Sequence, residues 1–304
     1  MKLVLRYSIG LVLLGLLIAS GVALLRTGVY GWAVFVIHPT LLGALACWMF
    51  RPGSSFDAGW YGFLAVGIAA AILVVAGIEG TVCVFMSLLI TLAFGYFGGW
   101  LAFRCASSKR ASRGGLAMLI LLPPATLAYD THAQPPIYSA RTTIEISASP
   151  DRVWSRIINL SRLPNPHEWY FLAGLAYPTQ ARIEGTGPGA TRYCEFSTGP
   201  VVESIEVWDA PRVLRFRVTQ TPAPMREWSP YGEISPKHLH GYLISREGEF
   251  RLTPLPGNRT LLEGTSWYQH GLWPAQYWRL WSDAVVHRIH LRVFQEIKRL
   301  AEHS

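Results

Sequence analysis

Charge is what this sequence has least of. Asp, Glu, Lys and Arg make up only 15% of its 304 residues, against 51% hydrophobic residues. The scarcity is uneven. Residues 1–130 carry eight Lys/Arg and three Asp/Glu, whereas residues 131–304 carry nineteen and sixteen, so the net charge of +8 divides as +5 and +3. A basic excess this thin, placed in loops between apolar runs, reports membrane topology and gives no expectation of nucleic-acid binding. Cysteine is scarce as well, at positions 47, 83, 105 and 194. Cys194 stands alone in the C-terminal half, which excludes a disulfide within it, and no CxxC spacing exists for metal or redox chemistry. Also missing are a Ser-centred nucleophile elbow, a phosphate-cradling Gly loop and a haem motif, so no catalytic residue is assigned and no cofactor is expected.

What the N-terminal 130 residues do have is long apolar runs. A bilayer span needs about 20 mostly apolar residues. Tyr7–Leu25, Val29–Phe50, Trp60–Gly77 and Thr81–Phe103 qualify, which predicts an α-helical transmembrane bundle. The Gly and Ala content suits close packing in lipid, with no clean GxxxG face. Lys2, Arg6, Arg51, Arg104, Lys109, Arg110 and Arg113 fall on one side and only Arg26 on the other, placing the N-terminus in the cytoplasm, as in a bacterial-type inner membrane. A fifth run, Gly114–Tyr129, is about 16 residues long and contains Pro123-Pro124. Read as a span, it puts the rest of the chain on the periplasmic or extracytoplasmic side; read as an interfacial or re-entrant segment, it does not. His38-Pro39, mid-span, is either a functional intramembrane group or a neutral histidine bonding a carbonyl beside a kink. Glu79 is expected to be solvated, or at headgroup level, in the turn between the third and fourth spans.

After the stiff linker Gln134-Pro135-Pro136 the periodicity changes. Residues 142–148 alternate as a half-buried strand. Ser149-Pro150-Asp151 is a helix start with a capping hydroxyl, followed by Val153, Trp154, Ile157 and Ile158 at helical spacing. Strands are predicted near 190–198, 201–208 and 214–219, with a turn at Asp209–Arg212, a long proline-broken loop over 221–240, and a hairpin turning at Pro256-Gly257-Asn258. A long helix begins at Pro274, its apolar positions from Trp278 to Leu300 recurring every three or four residues. Over roughly 28 residues it would reach about 40 Å, too long for a small sheet to cover unless the sheet curls around it. The prediction is an α+β domain at 137–304, a curved antiparallel sheet around a long C-terminal helix, with room for a cavity between them.

The stretch Thr143-Ile-Glu-Ile-Ser-Ala-Ser-Pro-Asp-Arg-Val-Trp154 resembles the opening strand and helix of the SRPBCC superfamily, the START-like or Bet v 1-like helix-grip proteins. Val207–Phe216, Gly248–Thr253, Leu262–Trp267 and the Trp278–Leu300 helix resemble the mid-sheet turn, closing strands and grip helix of its polyketide cyclase/dehydrase branch. The likeness covers about 165 residues and none of the N-terminal half. It implies a hydrophobic cavity but no shared catalytic motif, and the Rieske ligands of some relatives are absent.

Eight of the twelve tryptophans lie in this half. Trp169, Tyr170, Phe216, Trp267, Trp278 and Trp281 are the candidate cavity walls, although ordinary packing accounts for large aromatic rings equally well. The histidines at 238, 240, 270, 287 and 290 are not expected to bind metal, and Glu203, Asp209 and Glu263 are expected to be solvated strand carboxylates rather than acid–base groups. The expected function is a membrane-anchored binding protein for a lipid or other hydrophobic small molecule. A cyclase- or hydrolase-type enzyme using the same cavity is the first alternative, and a membrane sensor or signalling protein the second. The bilayer and the apolar ligand are the expected partners.

Overall fold

A computed structural model describes residues 2–107, 113–160 and 162–303, with only the backbone described at 2 and 113–121. The predicted basic positions Lys109 and Arg110 lie outside the described residues. The chain divides into two compact units, each discontinuous in sequence: residues 1–134 with 227–238 and 272–274, and residues 135–226 with 239–271 and 275–304.

The first unit is helical: α1 (Lys2–Thr27), a π-helical turn (Ala33–Ile37) leading into α2 (His38–Phe50), α3 (Ser55–Val75), α4 (Thr81–Ser107) and α5 (Arg113–His132). Four of these stretches, Leu3–Thr27, Ala33–Phe50, Ser55–Val75 and Thr81–Ser107, are long and apolar enough to cross a membrane. Two helix starts are held by side-chain acceptors, one local and one distant in sequence. Ser54 accepts from the Asp57 backbone N–H at 3.1 Å, capping α3. Asp130 on α5 accepts from the Trp32 and Ala33 N–H groups, both at 2.9 Å, in the turn that opens α2. His38 bonds a backbone carbonyl, as its structural reading requires: Nδ1 lies 2.8 Å from the Ala33 carbonyl in the π-helical turn, and Nε2 lies 3.0 Å from Ser20 Oγ.

Glycine sets the spacing between helices, and here the expectation of no GxxxG face is corrected. Gly95 and Gly99, four apart on α4, lie so close to their neighbours that side chains have no room. A Cβ on Gly43 or Gly62 would fall 2.1 Å from the Gly95 carbonyl oxygen, and one on Gly99 would fall 2.0 Å from that of Ala58. The motif Gly95-x-x-x-Gly99 stands on α4, but the small residues that meet it, Gly43, Ala58 and Gly62, lie on two other helices, so the face shows only when the three are brought together. Glu79 is also corrected. It is 4% exposed rather than solvated, because Tyr30 folds over it and its hydroxyl donates to Oε1 at 2.5 Å.

The second unit holds β1 (Ile137–Ile146), α6 (Pro150–Ile158), α7 (Trp169–Leu172), β2 (Pro178–Glu184), β3 (Thr191–Phe196), β4 (Gly199–Asp209) and β5 (Val213–Gln220). It continues, after the excursion described below, with β8 (Leu243–Leu255), β9 (Arg259–His270) and α8 (Ala275–Glu302). The seven strands form one curved antiparallel sheet in the order β1-β9-β8-β5-β4-β3-β2, gripping α8. The hairpin turns where expected, with Gly257 and Asn258 at φ +77° and +56°. Ser149 precedes α6 in extended conformation, but its side chain makes no capping hydrogen bond, so the helix start rests on Pro150 at its first turn. The core joins the inner faces of the strands to α6 and α8 through Ile146, Val153, Ile157, Ile205, Leu214, Leu262, Phe294 and Ile297, all 2% exposed or less.

The predicted long loop over 221–240 is in part ordered structure. It contains a hairpin, β6 (Glu227–Ser229) paired with β7 (Gly232–Ile234), and a 3₁₀ turn at Lys237–Leu239. Three-residue strands are too short to show a period of two, and the flanking prolines hid them. This excursion, residues 227–238, packs with the helical unit.

Candidate functional site

A partly enclosed cavity of about 160 Å³ lies inside the second unit, between the concave sheet and α8. Two periodicities build it. On the strands, alternate residues face inward: Arg192, Cys194 and Phe196 on β3, Val201 and Glu203 on β4, Phe216 and Val218 on β5, and Gly264, Ser266 and Tyr268 on β9. On α8, Val285, Val286, Ile289, His290, Val293 and Phe294 share one face. Thr221–Pro224 contribute to the rim. Gly264 is required by the close approach of Phe294, whose Cζ lies 2.5 Å from where a Cβ would stand.

The walls are mostly apolar, but charge is built into them. Arg192 and Glu203 are 3% and 5% exposed and form an ion pair. The guanidinium lies 5.2 Å from the Phe216 ring centre and 5.5 Å from that of Phe250. Arg192 Nε is buried and has no hydrogen-bond partner among the described residues. Burial raises the Glu203 carboxyl above its ordinary range, against the opposing pull of Arg192, and pushes the Cys194 thiol up to about 12. The expectation of solvated strand carboxylates is thereby corrected for Glu203, whose side chain is inward by the alternation of β4. Glu263 is also nearly buried and pairs with Arg141, whereas Asp209 pairs with Arg212 at the surface turn.

His290 closes another part of the wall. Its Nε2 lies 2.8 Å from Ser266 Oγ, its Nδ1 lies 3.0 Å from Thr142 Oγ1, and its ring stacks on Phe294. Burial, with a smaller contribution from His287, lowers its pKa to about 4, so the ring is neutral near pH 7. Tyr268 donates to Asp283 at 2.6 Å, and its acidity is weakened by burial and by that carboxylate.

Of the six aromatic residues named from sequence, Phe216 lines this cavity and the other five are not among its lining residues. Trp169 is 69% exposed on α7, and Tyr170 beside it lies under the Arg288 guanidinium. Trp267 alternates with the inward Ser266 and Tyr268, so it points to the other face of the sheet, where Arg215 sits over its ring. Trp278 is buried, and Trp281 half-buried, on the turns of α8 before its cavity-facing stretch. The aromatic lining instead comes from Phe196, Phe216, Phe250, Phe294 and Tyr268. Strand alternation extended to Phe196, and helical spacing extended to Phe294, were the signals that would have found them.

Residues 138–269 match the family profile described as polyketide cyclase/dehydrase and lipid transport. Among solved structures, the chain is similar to truncated norcoclaurine synthase from Thalictrum flavum, at 11% identity over 57% of this chain and 98% of that one, with a TM-score of 0.37. It is also similar to XoxI from Bacillus cereus (16% identity, 53% and 93% coverage, TM-score 0.36). A third is the Aha1 dimer from Colwellia psychrerythraea (14% identity, 55% and 97% coverage, TM-score 0.33). No curated protein matches the chain.

Proposed function

Because residues 138–269 match the polyketide cyclase/dehydrase and lipid transport profile, we propose that the C-terminal half is a domain of that SRPBCC family and that the protein binds a small hydrophobic molecule in the cavity between sheet and α8. One observation carries the reading: an apolar, partly enclosed space with one buried ion pair in its wall. At about 160 Å³ it matches the size of engineered cavities of about 150 Å³ that hold a benzene ring, and falls below the roughly 300–1,000 Å³ usual for drug-sized ligands. It would therefore take one ring or a short acyl segment as it stands, and a whole lipid only if α8 and the rim at Thr221–Pro224 separate. The free Arg192 Nε suits an acceptor oxygen at one end of that molecule.

The helical unit would be a membrane anchor. Its four apolar helices support this, and α5 supports a fifth crossing: it is 20 residues long, follows the far end of α4, and finishes with Asp130 bound at the start of α2. With the arginine-rich ends cytoplasmic, the C-terminal domain would be extracytoplasmic.

A second reading, an acid–base enzyme, has support from the titratable groups in the wall, Glu203, Glu247, Glu249 and His290. The binding reading is favoured because Glu203 is occupied by Arg192, and because His290, whose Nε2 lies 2.8 Å from Ser266 Oγ, meets the neutral Thr142 hydroxyl rather than a carboxylate at Nδ1 and, with its pKa lowered to about 4, is a poor base near pH 7.

The test is lipid extraction and native mass spectrometry on the full chain purified in detergent, beside Ile289→Trp, which fills the cavity from α8. A bound apolar molecule present in the parent and lost in the variant is expected. An equal amount of the same molecule in both would place binding elsewhere and remove the proposal.

A further inference from the structure

The helical unit contains a cluster that the cavity reading does not use. Glu79, in the turn before α4, Cys83, on its first turn, and His238, from the excursion 227–238, are 4%, 7% and 4% exposed. One potential ligand atom from each lies within 4.8 Å of the others. Around a tetrahedral ion, bonds of about 2.0–2.3 Å hold ligand atoms roughly 3.3–3.8 Å apart. His238 Nδ1 and Glu79 Oε2 are already 3.3 Å apart.

The neighbours decide which atoms are available. Tyr30 donates to Glu79 Oε1, which leaves Oε2 buried and, among the described residues, without a hydrogen-bond partner. Glu227 is completely buried, and its two oxygens accept from the backbone N–H groups of Cys83 at 2.7 Å and Val82 at 3.1 Å. Held there by the start of α4, Glu227 Oε1 faces His238 Nε2 at 3.6 Å. A carboxylate behind one imidazole nitrogen leaves the other to a metal, the arrangement that orients most histidine ligands. Among the described residues neither His238 nitrogen has a hydrogen-bond partner, the two carboxylate oxygens standing off at 3.3 and 3.6 Å. Charge points the same way. Two buried carboxylates stand here, and among the described residues neither pairs with a Lys or Arg. Buried charges of this kind are paired or bind a cation.

We propose that Glu79 Oε2, Cys83 Sγ and His238 Nδ1 form a three-ligand site for a zinc-class divalent cation, with Glu227 and Tyr30 holding the ligands from behind. Mixed oxygen, sulfur and nitrogen donors suit Zn²⁺ over Mg²⁺ or Ca²⁺, which take oxygen. Binding would displace the Cys83 thiol proton to solvent. Three protein ligands leave a fourth position for water or another donor. The proposal does not rest on the cavity reading.

The experiment is metal analysis of the full chain purified in detergent without chelator, followed by loading with Co²⁺. Near-stoichiometric zinc is expected, together with a thiolate-to-cobalt charge-transfer band after exchange. Both should fall to background in Cys83→Ala and His238→Ala, and both should persist in Cys47→Ala, which removes a different buried thiol. Because a ligand variant could fail to fold, the parent protein is tested as well: Zn²⁺ should protect Cys83 from alkylation, and a chelator should restore its reactivity. A parent chain that neither carries zinc nor gives the cobalt band after dialysis against Co²⁺ overturns the proposal. So does a band that survives in Cys83→Ala. Either outcome would leave His238 as an imidazolium bridging two carboxylates.

Discussion

Arg192 and Glu203 stand directly opposite each other on β3 and β4, their side chains joined on the inner face of the sheet. A charge pair with this little solvent is costly to assemble and more costly to break. Removing one partner strands the other, at about 3–5 kcal/mol, whereas replacing both with apolar groups is often neutral or stabilising. Arg192→Met should therefore lower the unfolding temperature of the C-terminal domain sharply, and Arg192→Met combined with Glu203→Leu should recover most of the loss. Thermal denaturation of the four members of the cycle checks this. Additive losses in the double variant would show that the pair acts through separate contacts.

His290 gives the domain a pH response with a definite sign. Its folded pKa of about 4 lies below the ordinary 6.5, so the fold prefers the neutral ring. The stability it contributes is complete above pH 6.5, declines as pH falls towards 4, and changes no further below that. The groups around the ring are the Thr142 and Ser266 hydroxyls, His287 and Phe294. In His290→Asn the decline between pH 6.5 and 4 should be shallower than in the parent, measured as unfolding temperature across that range. Parallel curves would mean that other groups set the acid response.

Phe294 is fully buried between Gly264 and Phe250. Phe294→Ala should cost about 3–5 kcal/mol and enlarge the cavity. An apolar probe such as benzene should then raise the variant's unfolding temperature more than the parent's, since a dry apolar hole is a binding site for it. Equal shifts would indicate that the sheet and α8 collapse onto the vacated volume.

In the helical unit, Gly43→Ala should separate α2 from α4, because the added carbon would meet the Gly95 carbonyl at 2.1 Å. A loss of about 1–3 kcal/mol is expected from overpacking. Gly15→Ala, on α1 with nothing within 4 Å, is the matched control and should be silent. Thermal stability in detergent distinguishes the two, and an unaffected Gly43→Ala would show that the helices can adjust.

Much of the architecture was legible because it rests on local signals. Apolar run length marked the four long helices, alternation marked the main strands, and three-to-four spacing marked α8. The cavity walls were harder. Size alone favours tryptophan as a wall residue, yet Trp267 occupies an outward position in the alternation of β9, and Trp169 sits on a four-residue helix that periodicity does not resolve. Phe216 reaches the cavity wall because β5 places it and Val218 on the inner face by alternation. The neighbourhood of Glu79 was not legible at all. Tyr30, Cys83, Glu227 and His238 are separated by up to 208 residues (238 minus 30) and meet only through tertiary structure.

The excursion 227–238 also constrains how the chain can be made. The helical unit is missing two of its segments until residue 274 has been translated, 140 residues after 134. At about 5–20 residues per second that is a delay of roughly 7–28 s. For the first 104 of those residues, up to His238, Glu79 and the start of α4 wait without the hairpin that covers them. Maturation of the N-terminal half is thus timed by synthesis of the C-terminal half, and a ribosome stalled in β5 would leave five finished helices around an unfinished centre.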